Sequence, residues 1–152
     1  SNDKPEDILI AFNKPVGIVC TTTNKQGNNN IVDYIGYSER IYPIGRLDKE
    51  SDGLILLTNN GEITDRILRS VNGHEKEYIV KQCRIYKVNS NTFRIVLTQG
   101  LNRQIRRMCQ ELGYKVEKLT RIRVMNIELG DLACGEYRVV EGAEKEKLYN
   151  SL

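Results

Sequence analysis

Short apolar runs, separated by polar and glycine-containing segments, predict that most of this chain forms β-strands. Runs of strand length, either continuous or alternating, occur at residues 8–12, 18–22, 41–44, 54–57, 78–80, 84–88, 92–97 and 115–129. The alternation places Phe93, Ile95 and Leu97 on one face of their strand. The polar residues 23–30 are interpreted as a surface loop.

Helical periodicity and capping residues predict a few helices among these strands. Asn60 can cap a helix over residues 62–70, in which Ile63 and Ile67 share the buried face. Two further helices are predicted at residues 31–35 and 141–149. Many short strands with a few helices predict an α+β fold built on a mixed, largely antiparallel sheet.

Length predicts one domain over residues 1–152, because a chain of this size can bury roughly two thirds of its unfolded surface in one core. Ser1-Asn2 is interpreted as a remnant of expression and is excluded from this reasoning. With 39% hydrophobic and 28% charged residues, and no apolar run near the ~20 residues of a membrane span, the chain has the composition of a water-soluble globule. Four cysteines without Cys-x-x-Cys spacing and a single histidine predict reduced thiols and no metal site.

The net charge of +3 is concentrated in one segment, which includes a predicted helix from Asn102 to Gly113. The buried stripe of this helix is predicted to contain Ile105, Met108, Cys109 and Leu112. Basic residues of the segment are Arg103, Arg106, Arg107, Lys115, Lys118, Arg121 and Arg123, against only Glu111 and Glu117. Such a cluster indicates a phosphate-backbone partner, with a merely solvated helix face as the alternative. Arg106 falls at the border of the stripe, where a guanidinium can reach into a partly buried cleft.

A polar turn containing Asp48 lies between two predicted buried strands, and loops held by such strands often carry chemistry. The simpler interpretation is that Asp48 closes a turn and pairs with Arg46 or Lys49.

Five blocks of sequence carry a resemblance to a known family. They are Asn13-Lys14-Pro15-x-Gly17, the block Tyr42 to Asp48 with its continuation Ser51-x-Gly53-Leu54, His74 to Val80, Gln99 to Cys109, and Gly135-Glu136-Tyr137-Arg138. In this order they resemble the RsuA-type pseudouridine synthases, which isomerise uridine to pseudouridine in ribosomal RNA. The third and fourth blocks are most similar to the RluF branch of this family. This similarity implies a uridine of large-subunit (23S) ribosomal RNA as the substrate.

The resemblance implies the pseudouridine synthase fold with a central RNA cleft, and roles for several residues. Asp48 would be the carboxylate that attacks C1′ or removes a proton at C2′, and Arg106 would be its counter-ion. Tyr78 would stack on the uracil and help remove the C5 proton, and Leu119 would lie beside the base. Arg46 would fill the space of the extruded base or hold neighbouring phosphates. The reaction has no redox change, so no cofactor is implied.

RNA-binding roles are expected for the remaining basic residues, namely Arg103, Arg107, Lys115, Lys118, Arg121 and Arg123. The implied partner is ribosomal RNA, with transfer RNA as a second candidate, and the implied state is a cytoplasmic monomer. Many relatives carry an N-terminal S4-type domain; the first motif begins at Asn13, so we expect a catalytic domain without it. A noncatalytic RNA-binding or ribosome-assembly module and a nuclease remain alternatives; the nuclease would need clustered carboxylates, for which Asp48 and Asp52 are poor candidates.

The run from Glu75 to Val88 is longer than an ordinary strand and contains no turn signal. Relatives in the resembled family place roughly two dozen residues between the Tyr78 strand and the segment that resembles Cys83-Arg84-Ile85. We therefore predict a segment near Lys81-Gln82 that this sequence omits.

Overall fold

A mixed sheet forms the centre of the computed structural model, which describes residues 6–21, 29–69, 73–85, 90–98 and 103–152. Within these residues the strands are β1 (Leu9–Lys14), β2 (Tyr42–Pro43), β3 (Asp52–Thr58), β4 (Lys76–Arg84), β5 (Ser90–Leu97), β6 (Tyr114–Val124), β7 (Ile127–Glu128) and β8 (Tyr137–Val139). Their order is β5-β4-β6-β3-β1-β8, with β2 paired to β3 and β7 to β6. The β3–β6 pairing is parallel and the other strand pairings are antiparallel. The predicted α+β class with a mixed, largely antiparallel sheet is confirmed.

The helices are α1 (Ile31–Ile35), α2 (Gly61–Leu68), α3 (Gln104–Glu111) and α4 (Gly142–Asn150). Asn60 caps α2 as predicted, because its Oδ1 accepts hydrogen bonds from the backbone N–H groups of Glu62 and Ile63 at 3.0 and 3.4 Å. Ile63 and Ile67 are the buried residues of α2. The predicted cap at Asn102, the residues Ser1-Asn2 and most of the predicted loop at 23–30 lie outside the described residues.

Strands β1 and β3 are buried on both faces, which explains why they are continuous apolar runs. Leu9 and Ala11 of β1 pack with α2 and α4 residues on one face, and Ile10 and Phe12 pack against α1 on the other. A third, smaller cluster joins β4 and β6 to α3. The outer strand β5 is largely exposed.

Helix α3 is shorter and less buried than predicted. Ile105 and Cys109 pack on Val80 and Leu119, but Met108 and Leu112 are 41% and 75% exposed. The predicted stripe was therefore wrong at two of its four positions. This two-turn helix packs on the sheet through Ile105 and Cys109, and no described residue covers the side that carries Met108 and Leu112.

Three strand predictions need correction. The long segment 115–129 is broken by a turn at Met125, whose φ is +54°, into β6 and β7. Residues 18–21 form only an isolated bridge between Val19 and Asn30. Strand β4 ends at Arg84, and the remaining part of the predicted strand 84–88 lies largely outside the described residues. No helix in the part of the chain that the structure describes is long and apolar enough to cross a membrane.

Candidate active site

A cleft of about 670 Å³ lies over β4 and β6, with the loop between β2 and β3 along one wall. Its lining includes the predicted residues Arg46, Asp48, Tyr78, Arg103, Leu119 and Arg121. Residues far apart in the sequence thus meet at one site, as the resemblance implies.

The loop that carries Asp48 is tied to buried groups on both sides of this residue. Before it, Leu47 exchanges two hydrogen bonds with the Cys20 thiol, at 3.3 and 3.4 Å. After it, the Lys49 carbonyl accepts a hydrogen bond from the Gly17 N–H at 2.7 Å and lies 3.5 Å from Nζ of Lys14. Burial raises the pKa of the Cys20 thiol. Asp48 is therefore presented on a braced loop.

Lys14 is fully buried and fixes the backbone behind this loop. Its Nζ donates hydrogen bonds to the carbonyls of Pro15 and Ile18 at 2.8 and 2.7 Å. Burial lowers the pKa of Lys14. The first sequence motif thus contributes a support for the loop, because its lysine binds main-chain carbonyls and does not line the cleft.

The end of the loop is fixed where β3 meets β6. Thr120 Oγ1 donates a short hydrogen bond to Asp52, and Lys118 Nζ lies 3.8 Å from the same carboxylate. The next residue, Gly53, has φ of +107°, and a Cβ added there would lie 2.2 Å from the carbonyl oxygen of Arg121. Only glycine allows the two strands to approach this closely.

Two guanidinium groups flank the Asp48 carboxylate, whose side chain is 23% exposed. Its Oδ2 lies 3.6 Å from Nη1 of Arg103 and 3.7 Å from Nε of Arg106. These distances exceed normal hydrogen-bond lengths. The two guanidiniums therefore balance the negative charge of the carboxylate without forming hydrogen bonds to its oxygens. The alternative pairing with Arg46 or Lys49 is not found among the described residues.

Arg106 is itself held by Ser51, which the sequence did not single out. Nη2 of Arg106 donates a hydrogen bond to Ser51 Oγ at 2.9 Å, and the Ser51 N–H donates to the Asp48 carbonyl at 3.0 Å. Ser51 is almost fully buried. Nε of Arg106 is buried without a hydrogen-bond acceptor among the described residues, and it lies 3.7 Å from Oδ2 of Asp48.

The floor of the cleft is the face of the sheet formed by β4 and β6. Tyr78 lies opposite Arg121 across these strands, and Val80 lies opposite Leu119. Leu119 is buried, and Tyr78 is half-buried with contacts to two apolar clusters. Lys76, two residues before Tyr78 and so on the same face, also lines the cleft. Because alternate residues of a strand share a face, the sequence alone could have identified Lys76 as a residue of this site.

The expected surface of phosphate-binding residues is divided in the structure. Arg107, Lys115 and Lys118 are exposed as predicted. Arg121 is only 4% exposed, because it lies in the floor of the cleft and its Nε donates to the Leu54 carbonyl at 2.8 Å. Arg123 is engaged by its neighbours, with Nε 3.1 Å from Glu77, Nη2 3.3 Å from Glu75 and Nη1 2.7 Å from the Met125 carbonyl. These two residues are corrections to the predicted surface.

Arg103, for which an RNA-binding role is predicted, lies beside two carboxylates. Its backbone has φ of +56°, and its Nη1 lies 3.1 Å from Glu50 as well as 3.6 Å from Asp48.

Among the described residues, no group of three His, Cys, Asp or Glu side chains could hold a metal ion. Cys20, Cys83, Cys109 and Cys134 are free thiols.

Comparisons with known proteins agree with this geometry. The chain is 47% identical over 156 aligned positions to the dual-specificity RNA pseudouridine synthase RluF of Escherichia coli (strain K12), covering 86% of this chain and 53% of that protein. It is 26% identical to the ribosomal large subunit pseudouridine synthase B of Bacillus subtilis (strain 168), covering 96% of this chain and 73% of that one. The chain thus spans about half the length of the first of these relatives.

The aligned lengths also show an internal difference. About 131 residues, 86% of the 152 in this chain, take part in the 156 aligned positions with the E. coli relative, so about 25 positions of that relative have no counterpart here.

A solved structure and a family model give the same assignment. The structure, a crystal structure of a pseudouridylate synthase, superposes with a TM-score of 0.81 at 26% identity over 94% of this chain and 74% of that one. Residues 8–87, which include Asp48 and Tyr78, match the model of the RNA pseudouridylate synthase family. The chain belongs to the RNA pseudouridine synthase family.

Proposed function

We propose that this chain isomerises a specific uridine to pseudouridine in ribosomal RNA. The observation that carries the proposal is the position of Asp48, which a braced loop holds in the cleft between two guanidiniums and above a floor containing Tyr78. The names of the relatives support the activity, and that of the B. subtilis protein supports large-subunit RNA as the substrate. The word "dual-specificity" in the name of the E. coli relative favours a second RNA substrate, and transfer RNA is our candidate.

The reaction breaks the bond between C1′ and N1 and forms a bond between C1′ and C5, while a proton leaves C5 and N1 gains one. Asp48 either attacks C1′, becoming covalently attached to the sugar, or removes the C2′ proton; both routes need an ionised carboxylate. Arg106, held by Ser51, orients and balances that carboxylate. Atoms and electrons balance without a cofactor, so none is proposed.

Recognition of the base is assigned to the floor of the cleft. The Tyr78 ring stacks on uracil and its hydroxyl takes part in removing the C5 proton, while Leu119 packs beside the base. The exposed Arg46 lies next to Asp48 and is our candidate to occupy the space left when the uridine is extruded from its helix. Arg103, which lines the cleft, and the exposed Arg107, Lys115 and Lys118 are proposed to contact phosphates of the RNA.

The catalytic unit is proposed to comprise residues 1–152 and to act as a monomer in the cytoplasm. Its sequence blocks extend from β1 to β8 of one sheet, which supports a single catalytic unit.

Release of tritium from C5-labelled uridine in ribosomal RNA tests the activity. The parent protein should release tritium, and Asp48→Asn should abolish release with RNA affinity nearly unchanged, because the amide keeps the shape and removes only the charge. Asp65→Asn is a matched control, since Asp65 is exposed on α2 and pairs only with Arg69 at 3.7 Å. Turnover of Asp48→Asn within tenfold of the parent would contradict the role of Asp48. RNA binding by a parent that releases no tritium would favour the noncatalytic module.

We also propose that the protein made by the cell contains a further segment near Lys81-Gln82. The register of β4 against β6 shifts at this point, and about 25 positions of the E. coli relative lack a counterpart. Chymotryptic digestion of protein expressed from the native gene decides it. New peptides between Val80 and Cys83 are expected, whereas a peptide running from Ile79 directly to Tyr86 would show that the sequence is continuous.

A further inference from the structure

Two cationic side chains lie on the floor of the cleft, on either side of the predicted base-stacking residue. Lys76 precedes Tyr78 by two positions on β4, and Arg121 lies opposite Tyr78 on β6. All three side chains therefore project from the same face of the sheet. Neither cation belongs to the pair of guanidiniums that flanks Asp48.

No carboxylate balances these two charges within the described residues. Neither Lys76 nor Arg121 forms an ion pair there, although other basic side chains of β6 do so. The sequence outside the described residues contains a single carboxylate side chain, Asp3. Burial and the neighbouring charge of Arg121 lower the pKa of Lys76, and no carboxylate acts in the opposite direction.

The surroundings hold Arg121 in place despite this repulsion. Its Nε is fixed by the Leu54 carbonyl, and its backbone is in contact with Gly53. Among the described residues, five cationic side chains but only two carboxylates line the cleft, and both carboxylates, Asp48 and Glu50, lie beside Arg103. Buried like charges without counter-ions are costly in a folded protein, so the site is built for an anion.

The substrate supplies such an anion. A uridine whose sugar reaches Asp48 and whose base reaches Tyr78 carries phosphodiester groups into the same cleft, where a phosphate without a cationic partner would be costly. Lys76 can bind a phosphate as a compact point charge, and Arg121 can do so with the free edge of its guanidinium.

We propose that Lys76 and Arg121 form a phosphate subsite that holds one phosphodiester of the substrate RNA inside the cleft. This inference rests on the proposed function and adds to it. The exposed residues Arg107, Lys115 and Lys118 contribute general attraction to RNA, whereas the subsite positions the reacting nucleotide. Lys76 is then a binding residue that stays protonated during turnover.

The test compares Lys76→Gln, Lys76→Arg and Lys81→Gln with the parent protein. Lys81→Gln is the matched control, because Lys81 is exposed on the same strand, with Glu117 as its partner at 3.7 Å. The side chain of Lys76 has no hydrogen-bond partner among the described residues, so Lys76→Gln should fold. Its thermal unfolding midpoint checks this. Binding is measured against salt concentration with a single-stranded, uridine-containing RNA, and tritium release is measured across pH.

Loss of one phosphate contact should lower the slope of log affinity against log salt by about 0.7 and the affinity at 0.1 M salt by roughly fivefold. We expect this change in Lys76→Gln and a slope like that of the parent in Lys76→Arg. Lys81→Gln should lose only the weak general attraction of an exposed cation to RNA, so its slope should change little. An unchanged slope in Lys76→Gln would overturn the subsite. So would a defect confined to kcat with an altered pH profile, which would identify Lys76 as a proton acceptor.

These outcomes separate the subsite from the proposed activity. If the parent releases tritium and the slope of Lys76→Gln is unchanged, the subsite alone is wrong. If the parent releases none but the slope falls, the anion site stands and the proposed isomerisation is wrong.

Discussion

Replacement of Gly53 by alanine should destabilise the junction that holds the catalytic loop. Gly53 is the second residue of β3, directly after Asp52, and its parallel partner on β6 is Arg121. An alanine Cβ would lie 2.2 Å from the Arg121 carbonyl oxygen and 2.7 Å from its nitrogen, so main-chain atoms would have to move. The backbone φ of +107° is also one that side chains other than glycine rarely adopt.

The size of the effect follows from these two terms. A residue with a Cβ in a strained backbone region costs about 1–3 kcal/mol, and overpacking of a well-packed region costs typically about 1–3 kcal/mol more. We therefore expect Gly53→Ala to lower the free energy of unfolding by about 2–6 kcal/mol. For a domain of this size each kcal/mol lowers Tm by roughly 2–4 °C, so a loss of roughly 4–24 °C is expected.

Thermal and urea unfolding of Gly53→Ala and Gly61→Ala provide the comparison. Gly61 starts α2, and an added Cβ there meets nothing within 4 Å, so that variant should stay within about 1 kcal/mol of the parent. A Gly53→Ala protein within 1 kcal/mol of Gly61→Ala would refute the argument that β3 and β6 require glycine at this point. If Gly53→Ala still folds at low temperature, it should also lose turnover, since the same junction positions Asp48.

Three further changes test the site and its surroundings. Ser51→Ala removes a hydrogen bond to the charged Arg106, worth about 1.5–3 kcal/mol, so turnover should fall at least tenfold with RNA affinity unchanged; parent-like kcat would contradict this. Tyr78→Phe should lower turnover more than binding, and equal turnover would leave the ring with stacking alone. Glu144 accepts two hydrogen bonds from Arg138, which lower its pKa. Glu144→Gln should therefore lose up to about 1 kcal/mol of stability above roughly pH 4.3, a difference that disappears as the pH falls through the lowered pKa of the parent; a pH-independent difference would refute it.

The sequence predicted the central strands and α2 because their signals are local. Strands β1 and β3 are continuous apolar runs since both of their faces are covered, and the amide of Asn60 caps α2 regardless of the rest of the fold. The failure at Met108 and Leu112 has a different origin. Helical periodicity shows which residues share a side of a helix, but the width of the surface that covers this side depends on tertiary packing.

Candidate residues of the site were found through resemblance to a family and not through periodicity. Asp48 and Arg106 are 58 positions apart, and nothing in either segment alone brings them to 3.7 Å. Arg121 and Arg123 look like exposed strand cations, yet one is buried in the floor and the other is paired with two glutamates. The role of Ser51 could not be predicted, since it depends on a side chain from α3 that reaches it across the fold.

The proposed site does not depend on whether a segment is present near Lys81-Gln82. Lys76 and Tyr78 lie in the first half of β4, before the register shift between Lys81 and Gln82; the other shift against β6 falls between Glu77 and Tyr78. Beyond that first shift, Tyr78 pairs with Arg121 and Val80 with Leu119. Tyr78 and Val80 also pair with β5 on the other side of the strand. The floor of the cleft is therefore fixed by residues that precede the junction. An inserted segment would leave the sheet beyond Lys81, where no residue of β4 is fully buried, and would add to the rim of the cleft without displacing the carboxylate, the tyrosine or the two cations that define its chemistry.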